Sequence, residues 1–377
     1  MKIVIAPQAF KGTLSPFEAA SAIESGIKRV LPNCKTVITP IADGGDGTLD
    51  ILLAAAQGTL HTTQATNAIA DIITAPWGAS SDGNTAIIEL ARISGLGMLQ
   101  IAQHNPLITS TFGVGEVIRS ALDAGFRRFL IAIGGSATND AGAGLAQALG
   151  VRLLDSEGND LPRGGASLAK LAKIDMTGLD ARILASEFII GCDVTNPLIG
   201  QEGASFVYAP QKGATLEDVK LLDNALSHFA DIVQRDIGVD IRTMPRGGAA
   251  GGAAAGMKVF LGGVLHSGSE MVLEQTDFEK HLEDANLVIV GEGCMDEQTL
   301  FNKAPLIAAQ KAKSVGVPVI AVVGTVGIGY DKLYEHGVLA IIPTSFLPCS
   351  SDLPVNAAEL LARAAEQAIR CWRIGKI

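Results

Sequence analysis

Glycine-rich loops that also carry acids, lysines or hydroxyls are the parts of this sequence best suited to chemistry. Each of them follows a predicted strand, and α/β proteins bind their ligands where such strands end. They span residues 7–14, 42–48, 134–140, 191–198 together with 210–213, and 291–299. Because exposed backbone N–H groups, carboxylates and lysines recur in them, these loops predict phosphate and Mg²⁺ chemistry.

The first two loops offer a cation and a pair of carboxylates. Lys11 and the hydroxyl of Thr13 precede a predicted helix, an arrangement that suits an anion, although a solvated lysine on a turn has the same pattern. In the second loop, Asp43 and Asp46 are three residues apart in a glycine turn. They could hold Mg²⁺, often through water, or could simply cap the next helix.

The third loop reads Gly-Gly-Ser-Ala-Thr-Asn-Asp and lies between a predicted strand and a predicted helix. Its small residues expose backbone N–H groups, including that of Gly135, while Ser136 and Thr138 add hydroxyl donors. Phosphate binds naturally at such a helix N-terminus. Asn139 and Asp140 could be simple caps, but a cap needs only one residue of this kind. The loop therefore predicts a phosphate site.

The remaining loops carry the candidate acids. Asp193 follows a predicted buried strand, where an acid is unfavourable unless it is paired, bound to metal or catalytic. Lys212 follows in a loop that could fold back toward it. Glu292 and Asp296 lie in the last loop, which leads to Lys303, and either acid could be a metal ligand or a base. The residues alone do not rank these acids.

Several well-known motifs are missing from the sequence. There is no G-x-x-x-x-G-K-[ST], and no G-x-G-x-x-G opens the helix after the first strand. The G-x-S-x-G elbow and the H-R-D and D-F-G motifs of protein kinases are missing too. A P-loop protein, a nicotinamide dehydrogenase, an α/β hydrolase and a protein kinase therefore have little support.

The composition bounds the size of the protein and the partners it can have. With 377 residues and 48% hydrophobic content, the chain is long enough for two domains with buried cores. A formal net charge of −10 argues against a nucleic-acid groove or a polybasic membrane surface, and no stretch approaches the ~20 apolar residues of a membrane span. The five cysteines form no C-x-x-C pair. We therefore expect a cytoplasmic protein that binds small molecules, with no nucleic acid and no membrane as partners; the sequence leaves a homodimer open.

Short apolar strands alternate with helical patterns along the chain, which is typical of an α/β protein with a parallel sheet. Strands are predicted at residues 2–6, 36–41, 129–133, 188–190, 287–290, 317–323 and 338–342, and helices at 16–30, 47–56, 113–124, 141–149, 216–235, 305–314 and 355–374. The alternation is clearest near the two ends. We therefore predict a discontinuous Rossmann-like domain, residues 1–60 and 279–377, with a second α/β domain, residues 61–278, inserted between them. The assignment of residues 110–150 is left open.

Seven short motifs, in this order, resemble those of the type I glycerate kinase family and extend through essentially the whole chain. They read F-K-G-T-L at 10–14, A-D-G-G-D-G-T at 42–48, G-G-S-A-T-N-D at 134–140, C-D-V-T-N-P-L at 192–198, P-Q-K-G-A at 210–214, G-A-A-G-G at 248–252 and G-E-G-x-x-D-x-Q at 291–298. The resemblance implies ATP- and Mg²⁺-dependent phosphorylation of D-glycerate, in bacteria usually to 2-phosphoglycerate. It also implies a two-domain fold with the active site in the interdomain cleft.

This resemblance suggests how the loops divide the work of phosphoryl transfer, which needs positioning and charge neutralisation. The candidate residues are Asp43, Asp46 and Glu292 for the metal, Gly44, Gly45, Gly135, Ser136, Thr138, Asn139 and Asn196 for the phosphates and substrate, and Lys11 and Lys212 for the glycerate carboxylate or the transferring phosphoryl group. Either Asp193 or Asp296 accepts the hydroxyl proton, and the sequence does not rank the two.

Three departures from the family's usual motifs bear on the substrate. The family usually reads P-D-S-F-K-G in the first loop, where Gln8 and Ala9 stand here, and usually has Arg where this chain has Cys294. Arg246 stands where the family tends to have a small residue, and it could replace the lost charge. Two alternatives therefore stay open: a kinase of the same scaffold that acts on a different small hydroxy-acid, and a catalytically silent binding or regulatory relative.

Overall fold

The computed structural model describes residues 1–10, 12–300, 303–344 and 356–374, which form two compact units. The first unit combines Met1–Asp43 with Ser269–Ile377, and the second is the continuous segment Gly44–Gly268. Each unit is built on its own sheet. None of the described helices has the length and apolar character that crossing a membrane requires.

Strands and helices alternate along much of the described chain. The strands are β1 (Lys2–Pro7), β2 (Lys35–Ile38), β3 (Thr59–Thr66), β4 (Ile72–Ala79), β5 (Thr85–Glu89), β6 (Arg128–Ala132), β7 (Arg152–Leu154), β8 (Lys173–Asp175), β9 (Glu187–Gly191), β10 (Val264–His266), β11 (Leu287–Gly291), β12 (Cys294–Met295), β13 (Val319–Val323), β14 (Thr325–Val326) and β15 (Val338–Pro343). The α-helices are α1 (Pro16–Val30), α2 (Thr48–Ala55), α3 (Ala91–Ser94), α4 (Phe112–Asp123), α5 (Ala143–Ala148), α6 (Ala204–Tyr208), α7 (Leu216–Asp236), α8 (Ala253–Leu261), α9 (Gly268–Gln275), α10 (Phe278–Leu282), α11 (Ala304–Ser314) and α12 (Ala357–Ile374).

The first unit is a five-stranded sheet covered by helices on both faces. Its strands lie in the order β15-β13-β11-β1-β2, and every neighbouring pair is parallel. Numbered along the chain, this is the doubly wound order 2-1-3-4-5, which reverses between β1 and β11. Ligands of such sheets bind outside the carboxyl ends of the strands at the reversal.

The apolar strands of this unit are buried on both faces, as their uninterrupted hydrophobic sequences predict. Ile3 and Ile5 join a hydrophobic cluster with helices α1 and α12. Val4 and Ala6 point to the other face and join a second cluster with α9, α10 and α11. A strand buried on both sides needs apolar residues at every position, and this explains why β1 does not alternate.

Helix α1 begins where its sequence signal predicts and lies unusually close to α12. The Ser15 hydroxyl accepts the Glu18 N–H, and the Glu18 carboxylate accepts the Ser15 N–H, which together form a capping box. At Gly26 a Cβ would lie 2.0 Å from the carbonyl oxygen of Ala362 in α12. Only glycine allows the two helices to cross at this distance.

The second unit is a six-stranded mixed sheet in the order β10-β9-β6-β5-β4-β3. The strands β10, β9, β6 and β5 are parallel, and β3 and β4 add an antiparallel hairpin at one edge. One hydrophobic cluster lies between the sheet and α4, and a second surrounds Phe229 of α7 and Phe260 of α8. Because the four parallel strands run the same way, the loops that follow them meet at one edge.

The predicted fold class, a mixed α/β protein with parallel sheets, is confirmed. The predicted boundaries, 60/61 and 278/279, lie later in the chain than the limits of the compact units, 43/44 and 268/269. Helix α2 falls in the second unit because it packs against β4 and β5. Helix α9 falls almost wholly in the first because its Leu273 packs in the same cluster as Val4.

Candidate functional site

The parallel strands of the second unit bring together residues that are far apart in the sequence. Strand β5 ends at Glu89, β6 leads into the loop 134–140, β9 leads to Asp193, and β10 is followed by Ser267. These four strands are neighbours in the sheet, so their ends form one continuous edge. We call this the carboxyl edge of the second unit.

Two glycine loops lie against each other at this edge. The Gly134 N–H donates to the Gly44 carbonyl oxygen at 2.8 Å. A Cβ on Gly134 would lie 2.7 Å from the Cα of Gly45, so a side chain there would separate the loops. The backbone of Gly135 also lies beside the exposed Asp46 carboxylate. Three glycines predicted from two separate motifs are therefore neighbours: Gly44, Gly45 and Gly135.

Lys212 is buried against the loop 134–140. Its Nζ donates to the Ser136 Oγ at 2.9 Å and to the Thr138 carbonyl oxygen at 2.7 Å. Burial lowers the pKa of Lys212 to about 7, and nearby Asp140 opposes this shift. The sequence suggested that Lys212 folds back toward Asp193, but its hydrogen bonds are to the third loop. Ser136, Thr138 and Lys212 thus form one cluster.

Asp140 anchors the same loop to the start of α4. Its carboxylate accepts the N–H of Thr111 at 2.8 Å, the Thr111 hydroxyl at 3.0 Å and the N–H of Gly144 at 3.3 Å. Burial raises the pKa of Asp140, whereas these hydrogen bonds lower it. A fully buried carboxylate with this many donors fixes the shape of the loop.

Two buried atoms of the loop have no hydrogen-bond partner in the described part of the chain, namely Thr138 Oγ1 and Asn139 Oδ1. The amide nitrogen of Asn139 donates to the Ser205 Oγ at 3.0 Å. Because buried polar atoms are nearly always hydrogen-bonded, the two atoms fit a loop that binds a polar ligand.

Glu89 holds the glycine loop at the start of α2. Its carboxylate accepts the N–H of Leu49 at 2.8 Å and that of Gly47 at 3.3 Å, and the Arg92 Nε lies 3.4 Å away. Burial raises the pKa of Glu89, whereas the two N–H groups and Arg92 lower it. The N-cap residue is Gly47, which has no side chain to cap with. The cap of α2 therefore comes from Glu89, and an aspartate cap is not needed to explain this helix.

Glu89 and Arg92 belong to the candidate site, and the sequence did not reveal them. The signal was nevertheless present at Glu89, because an acid at the end of a strand is the feature that selected Asp193. Arg92 had no comparable signal, since its role depends on the fold that brings it to Glu89 and to Asp50.

Asp193 lies just beyond β9, and the Ser267 Oγ donates to its Oδ1 at 2.6 Å. The predicted buried setting of this acid is wrong in detail, because β9 ends at Gly191 and Asp193 is only half-buried. The loop that carries it is held by Arg246, whose Nη1 donates to the Cys192 carbonyl oxygen at 2.5 Å. Asp193 thus combines partial access with a fixed hydroxyl partner.

Asn196, another predicted substrate ligand, bonds within its own loop. Its Oδ1 accepts the Tyr208 hydroxyl at 2.6 Å, and its Nδ2 donates to the Glu202 carbonyl oxygen at 2.8 Å. Both atoms of the amide are therefore already used to shape the segment between β9 and α6. Its role toward substrate stays a prediction.

In the first unit, the reversal of strand order places Gln8 and Glu292 after neighbouring strands. The Gln8 N–H donates to the Gly291 carbonyl oxygen at 2.7 Å, and the Gln8 side chain is buried with its Oε1 lacking a partner among the described residues. Glu292 is buried too; the Thr299 hydroxyl donates to its Oε1 at 2.7 Å, and the Lys303 Nζ lies 3.9 Å from its Oε2. Predicted Lys11 lies outside the described residues.

The acids of the first unit differ in their surroundings. The pKa of Glu292 is raised to about 7, chiefly by burial; Thr299 and Lys303 oppose this shift, whereas Asp296 and Asp43 add to it. Asp43, Asp296 and Glu292 are thus near enough to interact. One oxygen of Asp296 accepts the Gln298 N–H at 2.8 Å and so shapes a turn. In the described ranges, no group of three or more His, Cys, Asp or Glu residues could hold a metal ion by itself.

The chain is similar to known glycerate kinases over nearly its whole length. The sequence profile of the Glycerate kinase family matches residues 3–373. The glycerate kinase of Bacillus subtilis (strain 168) is 44% identical over 379 residues, with 100% of this chain and 99% of that protein covered. The glycerate 2-kinase of Escherichia coli (strain K12) is 43% identical over 341 residues, 90% of each chain. The crystal structure of a protein assigned as glycerate kinase 2 from Salmonella typhimurium LT2 matches with a TM-score of 0.87 at 43% identity, covering 100% of this chain and 99% of that one.

These likenesses, together with the fold and the loops at its strand ends, define an α/β kinase. Because the family profile extends through residues 3–373, the chain belongs to the glycerate kinase family.

Proposed function

We propose that this enzyme transfers the γ-phosphate of ATP to the 2-hydroxyl of D-glycerate, giving 2-phospho-D-glycerate and ADP. The observation that carries the proposal is the cluster of Ser136, Thr138 and Lys212 beside the paired glycine loops, in a chain of this family. The E. coli relative named glycerate 2-kinase supports the choice of the 2-hydroxyl.

The loops of the second unit are proposed to bind the phosphates. The N–H groups of Gly44, Gly45 and Gly135 and the Ser136 hydroxyl supply donors, and the Lys212 ammonium supplies positive charge in a buried setting. Charge on the transferring phosphoryl group is stabilised most by donors that are fixed before the reaction and shielded from water. A bound phosphate also raises the pKa of Lys212 and so keeps the amine protonated.

Asp193 is the proposed base. It accepts the proton of the substrate hydroxyl as that oxygen attacks the γ-phosphorus and the bond to the ADP oxygen breaks. Two observations favour Asp193 over Asp296. Asp193 follows a parallel strand of the same sheet as the loop 134–140, and its carboxylate is held by the Ser267 hydroxyl and not by a backbone turn. One oxygen of Asp296, in contrast, is used to fix a backbone turn.

Mg²⁺ is the metal proposed to accompany ATP, and the acids of the first unit fit it. Asp43 and Glu292 interact electrostatically, and Glu292 is buried, so a divalent cation would relieve the repulsion between them. Mg²⁺ usually takes only one or two carboxylates and keeps water and phosphate ligands, so the lack of a three-acid group in the described residues does not oppose this role. Asp46, which belongs to the second unit, stays a metal ligand predicted from the sequence. The bound ion would neutralise charge on the phosphates.

The proposal is tested by coupled ADP release with Mg-ATP and D-glycerate, with L-glycerate, tartronate and glycerol in parallel, and by phosphorus NMR of the product. We expect turnover with D-glycerate and a 2-phosphate product. Asp193→Asn should lower kcat by about 10²- to 10⁴-fold with little change in the KM for ATP, as expected for a lost general base. Asp296→Asn is the matched control and should lower kcat far less.

Other results would decide between the alternatives. ADP release only with another hydroxy-acid would replace D-glycerate as substrate, and the buried amide of Gln8 would be the first residue to examine. No release with any acceptor would favour a silent binding relative. If Asp296→Asn had the larger effect, the base would be Asp296. Lys11 and the homodimer stay predictions.

A further inference from the structure

Arg246 has a backbone conformation that arginine seldom adopts. Its φ is +68°, in the left-handed region where a side chain with a Cβ is strained and glycine is favoured. Such strain persists only where the surroundings fix it, and it concentrates at ligand-binding positions. The two following residues, Gly247 and Gly248, are glycines, but Arg246 itself is not. The strained backbone therefore points to a function for the Arg246 side chain.

The surroundings that fix Arg246 belong to the loop of the proposed base. Its backbone N–H donates to the Thr195 carbonyl oxygen at 3.2 Å, and the Gly248 N–H donates to the Asn196 carbonyl oxygen at 3.0 Å. The guanidinium donates to the Cys192 carbonyl oxygen at 2.5 Å. Cys192 immediately precedes Asp193, so the positive charge lies at the peptide next to the base.

Most of the donors of this guanidinium remain available. Arginine has five N–H donors, and in the described part of the chain this one bonds to the Cys192 carbonyl oxygen and to the Cys192 thiol and forms no ion pair. Arg242, four residues earlier, is the contrast: it forms ion pairs with Asp231 and Asp240. Arg246 is half-buried, where a charge-assisted bond is stronger than at the surface.

The chemistry of a 2-hydroxy-acid supplies the missing anion. Its carboxylate is attached to the carbon that bears the reacting hydroxyl, so a base that reaches the hydroxyl places the carboxylate one bond further on. We propose that Arg246 binds the carboxylate of the hydroxy-acid substrate and thereby sets the hydroxyl against Asp193. This inference rests on the proposed function, and it assigns the specificity for an acid over a simple alcohol to Arg246.

The test compares Arg246→Gly with Arg246→Lys in the full chain. Glycine removes the guanidinium and the strain together, so folding should be retained; lysine keeps the charge but loses the planar fork that matches a carboxylate. Gln57→Gly is the matched control, because Gln57 is exposed and also has a positive φ of 46° in the same unit. It should leave the kinetics unchanged.

We expect Arg246→Gly to raise the KM for D-glycerate by about 10- to 100-fold, the loss expected for one charge-assisted hydrogen-bonded pair, with the KM for ATP within about threefold of the wild type. The KM for D-glycerate of Arg246→Lys should lie between those of the wild type and Arg246→Gly. Added guanidinium ion should restore part of the affinity of the glycine variant, which a purely structural role would not allow.

Three results would overturn the inference. The KM for D-glycerate could stay unchanged in Arg246→Gly, the KM for ATP could rise as much as that for D-glycerate, or kcat alone could fall without rescue by guanidinium. The second result would assign Arg246 to the nucleotide phosphates, and the third would make it a structural clamp of the loop.

Calorimetry separates this inference from the proposed function. If the wild type phosphorylates no D-glycerate, the proposed function fails, but binding of D-glycerate and tartronate can still be measured without turnover. Weaker binding of both acids by Arg246→Gly than by Gln57→Gly would support the carboxylate site. Equal binding by the two variants would overturn it.

Discussion

Burial disfavours the charged form of a lysine that is 2% exposed and whose amine bonds only to a hydroxyl and a carbonyl oxygen. Lys212 is such a residue, and in the described part of the chain Asp140 acts on it through its charge without forming an ion pair. Its protonation therefore depends on pH and on any anion brought to it. This makes Lys212 a residue whose role can be read from stability as well as from activity.

Lys212→Met should change the pH dependence of stability in a defined direction. With the folded pKa lowered to about 7, the unfolded chain binds one more proton than the folded chain between about pH 7 and the ordinary lysine pKa. The unfolding free energy contributed by Lys212 therefore rises with pH, by up to about 1.4 kcal/mol per pH unit. Urea titrations from pH 6 to 10 should show this slope in the wild type and its loss in the methionine variant.

The exposed lysine Lys220 on α7 provides the control. Lys220→Met should keep the wild-type slope, and both its turnover and its KM values should be unchanged. Lys212→Met should also lower kcat/KM by about 10- to 150-fold, the loss of one charged hydrogen-bonding group. Equal pH slopes in Lys212→Met and the wild type would contradict the buried, easily neutralised amine.

The sequence identified this lysine but not its partners. A motif places Lys212 in a loop, whereas its bond to the Ser136 Oγ joins residues 76 positions apart and depends on how β6 and the segment after α6 pack. The same limit applies to Glu89, since nothing local shows that its carboxylate meets the start of α2. Side-chain type can be predicted from a pattern, but contacts between distant loops follow from the sheet.

At the scale of the elements, the loops proposed to bind phosphate are held by hydrogen bonds to neighbouring elements. The loop 134–140 is anchored to the start of α4 by Asp140, and the loop 44–47 is anchored to the end of β5 by Glu89. Glycines have no side chains with which to fix the shape of a loop, so the hydrogen bonds of Asp140 and Glu89 preorganise the backbone donors of the two loops. The two anchors are therefore part of the site.

Glu89→Gln tests the second anchor. The change replaces one acceptor oxygen by a donor that faces an N–H group, and it removes the negative charge next to Arg92. We expect a loss of about 1–3 kcal/mol in unfolding free energy, as for a buried charged acceptor, and a rise in the KM for ATP that exceeds the rise for D-glycerate. Chemical denaturation and steady-state kinetics measure the two effects.

Asp50→Asn is the matched change on the other side of Arg92. The Asp50 side chain is 48% exposed, so its ion pair should contribute less than about 1 kcal/mol, and the KM for ATP should stay constant. If Glu89→Gln behaved like Asp50→Asn, the glycine loop would not depend on its carboxylate cap.

Elements with strong local signals could be predicted to within a residue or two. Helices α1 and α7 begin at Pro16 and Leu216 because capping boxes at Ser15 and Thr215 specify their starts. The hairpin strand β4, with its Pro76, was not predicted, because proline is usually confined to edge strands. Here β4 lies between β3 and β5 but pairs with β5 only at Gly78 and Ala79, so Pro76 lies outside that ladder. Local sequence signals thus predict where a helix begins, whereas a strand such as β4 depends on its position in the folded sheet.

At the scale of the whole molecule, the second unit is one continuous segment with its own six-stranded sheet and two large hydrophobic clusters. The first unit instead joins two distant segments, and its strand β1 lies between β2 and β11 with both faces buried. Deleting β1 removes an interior strand of the five-stranded sheet. A fragment that consists of residues 44–268 alone, in contrast, keeps every strand of the six-stranded sheet.

The fragment 44–268 should therefore fold by itself. We expect a single cooperative transition in circular dichroism on urea denaturation, with a slope appropriate to a domain of its size. The fragment 269–377, which lacks β1, β2 and α1, should show no cooperative transition. Cooperative unfolding of the second fragment, or its absence in the first, would contradict the division of the chain into these units.

The interior position of β1 also has a consequence during synthesis on the ribosome. The Lys2 N–H pairs with Asn286, 284 positions later, so the apolar β1 has no neighbour on that side until most of the chain has been translated. At ~5–20 residues per second, this delay is roughly 15 to 60 seconds. The central segment emerges complete during that interval and can fold first. During translation β1 is thus an exposed apolar segment without its β11 neighbour, and a chaperone that holds such segments could bind it there.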